Sequence, residues 1–282
     1  MVLVRAGRPH PTKNHGSQAR AMHNGMAQAW DGRVLYGHRL LWPIARAARE
    51  LAALADWPTV AELDAGLAPR AGVRFASALA RSRRRPRGPA AAAYDASICL
   101  EGRVPTRAAS WHDLFNALVW ASMPRSKRAL HERQHRAHEA RSAAAPSRRT
   151  REGDGLALVD EGGAVLLCTD AARPSVEEAL SAREREPVAV AIARGEALGV
   201  VFGHAVFEHL GTSQRTVRAT VHVVSTPAIP RDADACVWLA DAGLSRALAD
   251  PKRFAAPEAM ASIPVELAYF GVPRDPLSPP TD

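Results

Sequence analysis

Between residues 111 and 120 the chain reads Trp-His-Asp-Leu-Phe-Asn-Ala-Leu-Val-Trp, and wound into a helix this string is apolar all the way round. Trp111, Leu114 and Leu118 fall on one side, while Phe115 and Val119 fall on the neighbouring side together with His112 and Asn116. A helix without a polar face belongs inside a core or a membrane. No window of the chain approaches the roughly 18 unbroken apolar residues that a membrane span needs. The segment therefore predicts a helix, from about residue 111 to 122, buried within a folded domain. A chain of 282 residues with 47% apolar side chains has the material to enclose it, as one large domain or two small ones.

The flanking sequence organises around that helix. Residues 1–38 show no sustained periodicity and read as a poorly ordered extension. Residues 40–57 place Leu40, Ile44, Ala47, Ala48, Leu51 and Leu54 at helical spacing and stop near Pro58. Thr59, with Glu62 three residues on, has the capping-box pattern for a short helix through Leu67. Residues 73–75 read as a strand, 82–93 as an arginine- and proline-rich loop, and 94–102 as a strand. A second helix is expected over 125–142, separated from the first at Pro124, then a flexible link over 143–155. Residues 156–170 read as a β-hairpin turning at Glu161-Gly162-Gly163. After a short helix over 175–186 come strands at 187–193 and 198–203, a helix opening at His204, a period-two strand at 216–224, and a helix capped by Asp232 or Asp234. No internal repeat is present. Helices first and mixed β and α runs after them predict a single α+β domain over 39–275, its N-terminal helical part packed on a small mixed sheet, with 276–282 a flexible tail.

Charge is unevenly placed. The chain carries 37 basic and 29 acidic side chains, a formal excess of eight. Residues 70–90 hold seven arginines and no acid, and residues 125–151 hold nine basic residues against Glu132 and Glu139. The remainder is 21 basic against 27 acidic residues, so two basic segments sit on an acidic body. Arginine-rich coding style explains much of this bias, with lysine only at Lys13, Lys127 and Lys252. Solvated surface is the favoured reading of both segments, and nucleic acid is not the favoured partner. Cys99, Cys168 and Cys236 are scattered, with no C-x-x-C pair, and the N-terminus lacks a signal-peptide pattern. Both features suit the cytoplasm, and nothing points to a membrane partner.

Four polar positions are candidates for chemistry. His112 and Asn116 lie one turn apart on a helix with no polar face, where buried polar groups need partners. A histidine in a first helical turn feels the positive end of the dipole and is biased toward the neutral form that binds metal or accepts a proton. Asp113 reads as a capping acid paired with Ser110. His204 and Glu208, four apart, face the same way at a strand-to-helix junction, where pockets form. They are a metal-ligand pair, a base held by its carboxylate, or a salt-bridged surface pair. His131-Glu132-Arg133-Gln134-His135 spells the zinc-protease pattern H-E-x-x-H. Arg128, Arg133, Arg136 and Arg141 surround its histidines with charge and no third ligand follows, so a solvated basic helix is the better account. Phosphate-loop, dinucleotide and serine-hydrolase motifs are absent.

Taken together, Gly102-Arg103-Val104-Pro105-Thr106-Arg107, the string from Trp111 to Trp120 and Pro124-Arg125-Ser126-Lys127 resemble the signature block of the family called domain of unknown function 3025. The similarity continues through Asp160-Glu161-Gly162-Gly163, through Phe202-Gly203-His204-Ala205 with Glu208, and through Gly271-Val272-Pro273, covering roughly residues 42–275. The resemblance implies a cytoplasmic bacterial protein and carries no established reaction. His131 and Glu132 depart from the family pattern, as does the stretch Arg274-Asp275-Pro276.

The leading functional expectation is a metal-dependent hydrolase acting on an unknown small molecule. His112, His204 and Glu208 would hold a divalent metal ion, with Asn116, Arg107 and Asp160 completing the catalytic site. It requires His112 and His204 to lie within about 10 Å of one another. The alternative is a non-enzymatic protein binding nucleic acid or another polyanion through the segments 70–90 and 125–151.

Overall fold

The computed structural model describes residues 29–78, 90–142, 150–213 and 216–275. The expectations for residues 1–28, for most of the 82–93 loop, for 143–149 of the link and for the 276–282 tail fall outside these residues.

The apolar string forms helix α4 (Trp111–Ser122), with nine of its side chains buried. Ser110 caps it, its hydroxyl accepting from the Asp113 N–H at 3.3 Å. Before it come a short 3-10 turn at Gly32–Leu35, a second at Arg39–Ile44, α1 (Ala45–Ala52) and α2 (Val60–Ala71). Thr59 and Glu62 form the reciprocal capping box at the start of α2. Trp30, ahead of residue 39, stacks on Trp111 at 5.2 Å, and Trp57 packs against Trp111 at 4.5 Å, so the N-terminal helical layer closes over α4.

A parallel pair, β1 (Arg74–Ser77) and β2 (Arg103–Thr106), is bridged by α3 (Ala90–Glu101). The strand expected at 94–102 is therefore helical. Ala90 to Ala93, the described end of the expected 82–93 loop, open this helix instead, alanine having high helix propensity, and only the following Arg-Val-Pro-Thr enters the sheet. Pro124 opens α5 (Pro124–Ser142) after a break at Met123, as the proline predicts. That helix is not solvated: Ser126, Lys127, Leu130, His131 and Arg133 are buried against α3 and α10 (Ala233–Ala249).

The main sheet has the order β4-β3-β5-β6. It is built from β3 (Gly163–Thr169), β4 (Ala197–Val201), β5 (Arg218–Thr226) and β6 (Ser262–Pro264). β3 pairs parallel with β5, while β4 and β6 pair antiparallel with their neighbours, so the sheet is mixed. β3 is buried along nearly its whole length, as a continuous apolar run in a central strand should be. The expected hairpin is instead α6 (Arg151–Gly162) running directly into β3, with Thr150 as the cap of α6 and Leu156 and Val159 on its buried side. The expected strand at 187–193 is α8 (Glu186–Ala193), because a proline in the first turn favours a helix start and a short apolar run carries no periodicity to separate the two. Helices α7 (Arg173–Ala182), α9 (His204–Thr212) and α11 (Leu267–Phe270) complete the single α+β domain. Asp232 caps α10, accepting from the Ala235 N–H. Among the described residues no helix is long and apolar enough to cross a membrane.

Candidate functional site

Three elements meet where β4 turns into α9. The N–H groups of Phe202 and Gly203 both donate to the Gly163 carbonyl, at 3.0 and 2.7 Å, which ties the end of β4 to the start of β3. A Cβ at Gly203 would lie 2.4 Å from the Glu161 carbonyl oxygen, so only glycine lets the C-terminal end of α6 come this close. The approach sets Asp160 and Glu161 beside His204, the first residue of α9. Helix α4 lies along α9 through the stacked rings of Phe115 and Phe207. This contact brings His112 to the same place.

The resulting geometry is compact. His112 Nε2 and His204 Nε2 are 3.0 Å apart. His112 Nδ1 is 3.0 Å from a Glu208 carboxylate oxygen, and His204 Nδ1 is 2.9 Å from the Asp160 backbone carbonyl. A Glu161 carboxylate oxygen lies 3.4 Å from His204 Nε2. His112, His204 and Glu161 offer ligand atoms that all lie within 4.8 Å of one another. His204 is buried, while the His112 and Glu161 side chains are 35% and 51% exposed, so the cluster opens to solvent on the Glu161 side.

Hydrogen-bond logic assigns the tautomers. A carboxylate and a carbonyl only accept, so the Nδ1 of each ring carries the proton and donates it outward. Both Nε2 lone pairs then point at one another. Two lone pairs at 3.0 Å repel unless a proton or a cation lies between them. The proton is available on His112, whose hydrogen bond to Glu208 raises its pKa against the opposing effect of burial. His204 cannot share the charge: burial, only partly offset by Asp160, pushes its pKa down to about 3. Burial, and then the neighbouring Asp160 carboxylate, raise the pKa of Glu161.

Beneath His204 lies a buried ion pair. Lys127 is fully buried, and its ammonium donates to Asp160 Oδ1 at 2.6 Å. Burial alone would raise the Asp160 pKa, but Lys127, with His204 and His131, holds it well below the usual carboxylate range. The sequence singled out Asp160 for catalysis; the structure places its carbonyl on His204 and its carboxylate on Lys127. Glu208 sits on the far side of the His112 ring from His204, and Glu161 occupies the near side. Asn116 Nδ2 donates to the Tyr94 hydroxyl at 2.9 Å, while its Oδ1 is buried with no partner among the described residues. Arg107 is engaged by Asp113, which accepts from the Arg107 backbone N–H at 2.6 Å and from its guanidinium at 2.7 Å.

Sequence reasoning missed Glu161 and Lys127. Glu161 was visible in the Asp-Glu-Gly-Gly string, but a hairpin reading made it a turn residue. The H-E-x-x-H pentad does not form a metal site: His131 Nδ1 bonds Asp95 at 2.9 Å, and Glu132 points into solvent. Described arginines of the basic segments are largely engaged within the fold. Arg74 pairs with Asp64, Arg128 donates to the Gly72 carbonyl, and Arg125 lies over the Trp238 ring.

Fold and site together define an α+β protein with a two-histidine, one-carboxylate cluster at a strand-to-helix junction. Residues 83–274, more than half of the chain, match the family model described as protein of unknown function (DUF3025), and the chain belongs to that family. No curated protein and no solved structure was found to match it.

Proposed function

We propose that this protein is a metal-dependent hydrolase in which His112 Nε2, His204 Nε2 and the Glu161 carboxylate hold one divalent cation. The observation that carries the reading is the convergence of two unprotonated-capable Nε2 atoms and a carboxylate, with both Nδ1 positions already engaged. Tetrahedral ligation with bonds of about 2.0 to 2.2 Å places ligand atoms about 3.3 to 3.6 Å apart; two of the observed separations are 3.0 and 3.4 Å, and all three ligand atoms lie within 4.8 Å of one another. Metal-bound histidines commonly donate the other ring N–H to a carboxylate or a backbone carbonyl, which are the two acceptors found on His112 and His204.

A divalent cation held by these three residues would supply Lewis-acid activation of water on the solvent-exposed side of the cluster. The chain's own residues do the rest. Glu208 orients His112 and raises its basicity as a ligand. The Lys127–Asp160 pair fixes the carbonyl that orients His204.

The test is elemental analysis and zinc titration of the chelator-treated full chain, followed by assay against chromogenic esters and phosphoesters. One metal per chain, lost in both His112→Ala and His204→Ala, with hydrolysis that follows the metal, is the expected result. A folded wild-type chain that binds no divalent cation overturns the reading.

A further inference from the structure

Away from the histidine cluster, the loop that follows α10 borders an open groove of about 490 Å³ on β5, lined by Val221, His222, Lys252, Arg253, Phe254 and Met260 among others. We propose that this groove binds a small organic anion, a single carboxylate or phosphate head carried on a flat apolar body.

The loop is tied to the body of the fold at several points, and one of its residues is strained. Phe254 has φ 58, in the left-handed region that bulky side chains avoid. Such strain persists only where the surroundings over-determine it, and it clusters at functional sites. Arg133 supplies the constraint. Its guanidinium is buried and spends all five N–H donors: Nε on Glu152, and the terminal nitrogens on the carbonyls of Leu248, Asp250, Pro251 and Arg253. Gly155 adds a second constraint, since a Cβ there would lie 2.0 Å from the Phe254 carbonyl oxygen. A wall fixed this way forms a preorganised groove.

The lining names the ligand chemistry. His222 stands edge-on to Phe254 with centroids 5.6 Å apart, and its ring nitrogens have no hydrogen-bond partner among the described residues. Burial pushes its pKa down to about 4, and Arg253 and Arg173 push the same way against Glu177, so the imidazole is neutral in a positive local field. Asp250 lies 3.8 Å from Arg253 and accepts the Lys252 backbone N–H. One carboxylate thus faces two cations, and the Lys252 ammonium has no carboxylate partner among the described residues. Beside these charged groups, which make up most of the accessible lining, Val221, Phe254, Met260 and four alanines supply a smaller apolar strip. Cations, a neutral hydrogen-bonding imidazole and an apolar body with an aromatic edge fit an anion with a flat hydrophobic frame.

The experiment titrates benzoate and phenyl phosphate separately into the full chain, reading the His222 ring protons by NMR. Saturable binding of either probe is expected, weakened about tenfold or more in Lys252→Ala and in Arg253→Ala, both solvent-side changes. Benzyl alcohol and inorganic phosphate should each bind about tenfold more weakly than the better aromatic anion. The stronger probe identifies the head group. His112→Ala should leave the binding unchanged, which keeps this site separate from the metal centre. The proposal is overturned by absence of saturation with both probes, by retention of full affinity in both cation variants, by inorganic phosphate matching phenyl phosphate, or by loss of binding in His112→Ala.

Discussion

His112 and His204 meet through their Nε2 atoms at 3.0 Å, and each ring is held from behind by an acceptor on its Nδ1. The two carboxylates near His112 consequently have different duties, Glu161 facing the gap and Glu208 facing away. Glu161→Ala removes a ligand and should abolish tight metal binding. Glu208→Gln removes an orienting group and should weaken it about 10- to 100-fold. Zinc titration against a competing chelator measures both. If Glu208→Gln is as damaging as His112→Ala and Glu161→Ala is silent, the ligand set is His112, His204 and Glu208 instead.

The buried pair below the site makes a stability prediction. Lys127 donates to Asp160 with no exposure of its own. Lys127→Met strands the carboxylate in the interior, and breaking a buried pair from one side costs about 3 to 5 kcal/mol. Asp160→Asn added to it removes the stranded charge and should recover part of that loss. Urea denaturation of the two singles and the double closes the cycle. A double variant whose loss equals the sum of the singles would mean that the two groups do not interact.

How far these residues could be read in advance depended on the kind of signal each carried. Helix α4 was legible because apolarity around a full circumference has one meaning, burial, and the α2 cap because its spacing is a local hydrogen-bond pattern. His204 and Glu208 were legible as a same-face pair. Which side of His112 each carboxylate takes was not, since that follows from the docking of α4, α6 and α9. Helices α6 and α8 were misread for a common reason: a few apolar residues beside glycine or proline suit a buried strand and a helix equally. Helix α5 looked solvated from its charge density, yet Lys127, His131 and Arg133 each find a buried partner or acceptor across the core. Pairing of this kind has no trace in the spacing.

Glycine at position 203 permits the contact between α6 and α9, and Gly66 of α2 serves as its control. A Cβ at Gly203 would press on the Glu161 and Gly162 backbone, whereas one at Gly66 meets nothing within 4 Å. Gly203→Ala should therefore destabilise the fold by about 1 to 3 kcal/mol and loosen metal binding with it. Gly66→Ala, in a helix interior, should stabilise by about 0.5 to 1 kcal/mol. Thermal melts and zinc titration of both variants test the contrast. Equal effects at the two positions would contradict the close approach that builds the site.

Acid should destabilise the metal-free protein before its salt-bridged and capping carboxylates titrate. His204 and His222 are held neutral, with pKa values pushed down to about 3 and about 4. In the unfolded chain each takes a proton near pH 6.5. Between about pH 6.5 and 4 the unfolded state thus binds more protons than the native state, so stability rises with pH and falls on acidification. His112 works in the opposite sense, because its raised pKa contributes stability that is present below about pH 6.5 and is lost as pH rises through its native value. Removing one depressed histidine isolates its share. His222→Gln should flatten the acid limb of the stability profile between pH 6.5 and 4, by at most about 1.4 kcal/mol per pH unit. It should leave the loss below about pH 4, where Asp64, Glu62 and Asp160 titrate with lowered values, in place. Urea denaturation of the chelator-treated wild type and variant at half-unit pH steps decides it, and an unchanged slope between pH 6.5 and 4 would show that His222 is as free to charge in the fold as in the unfolded chain.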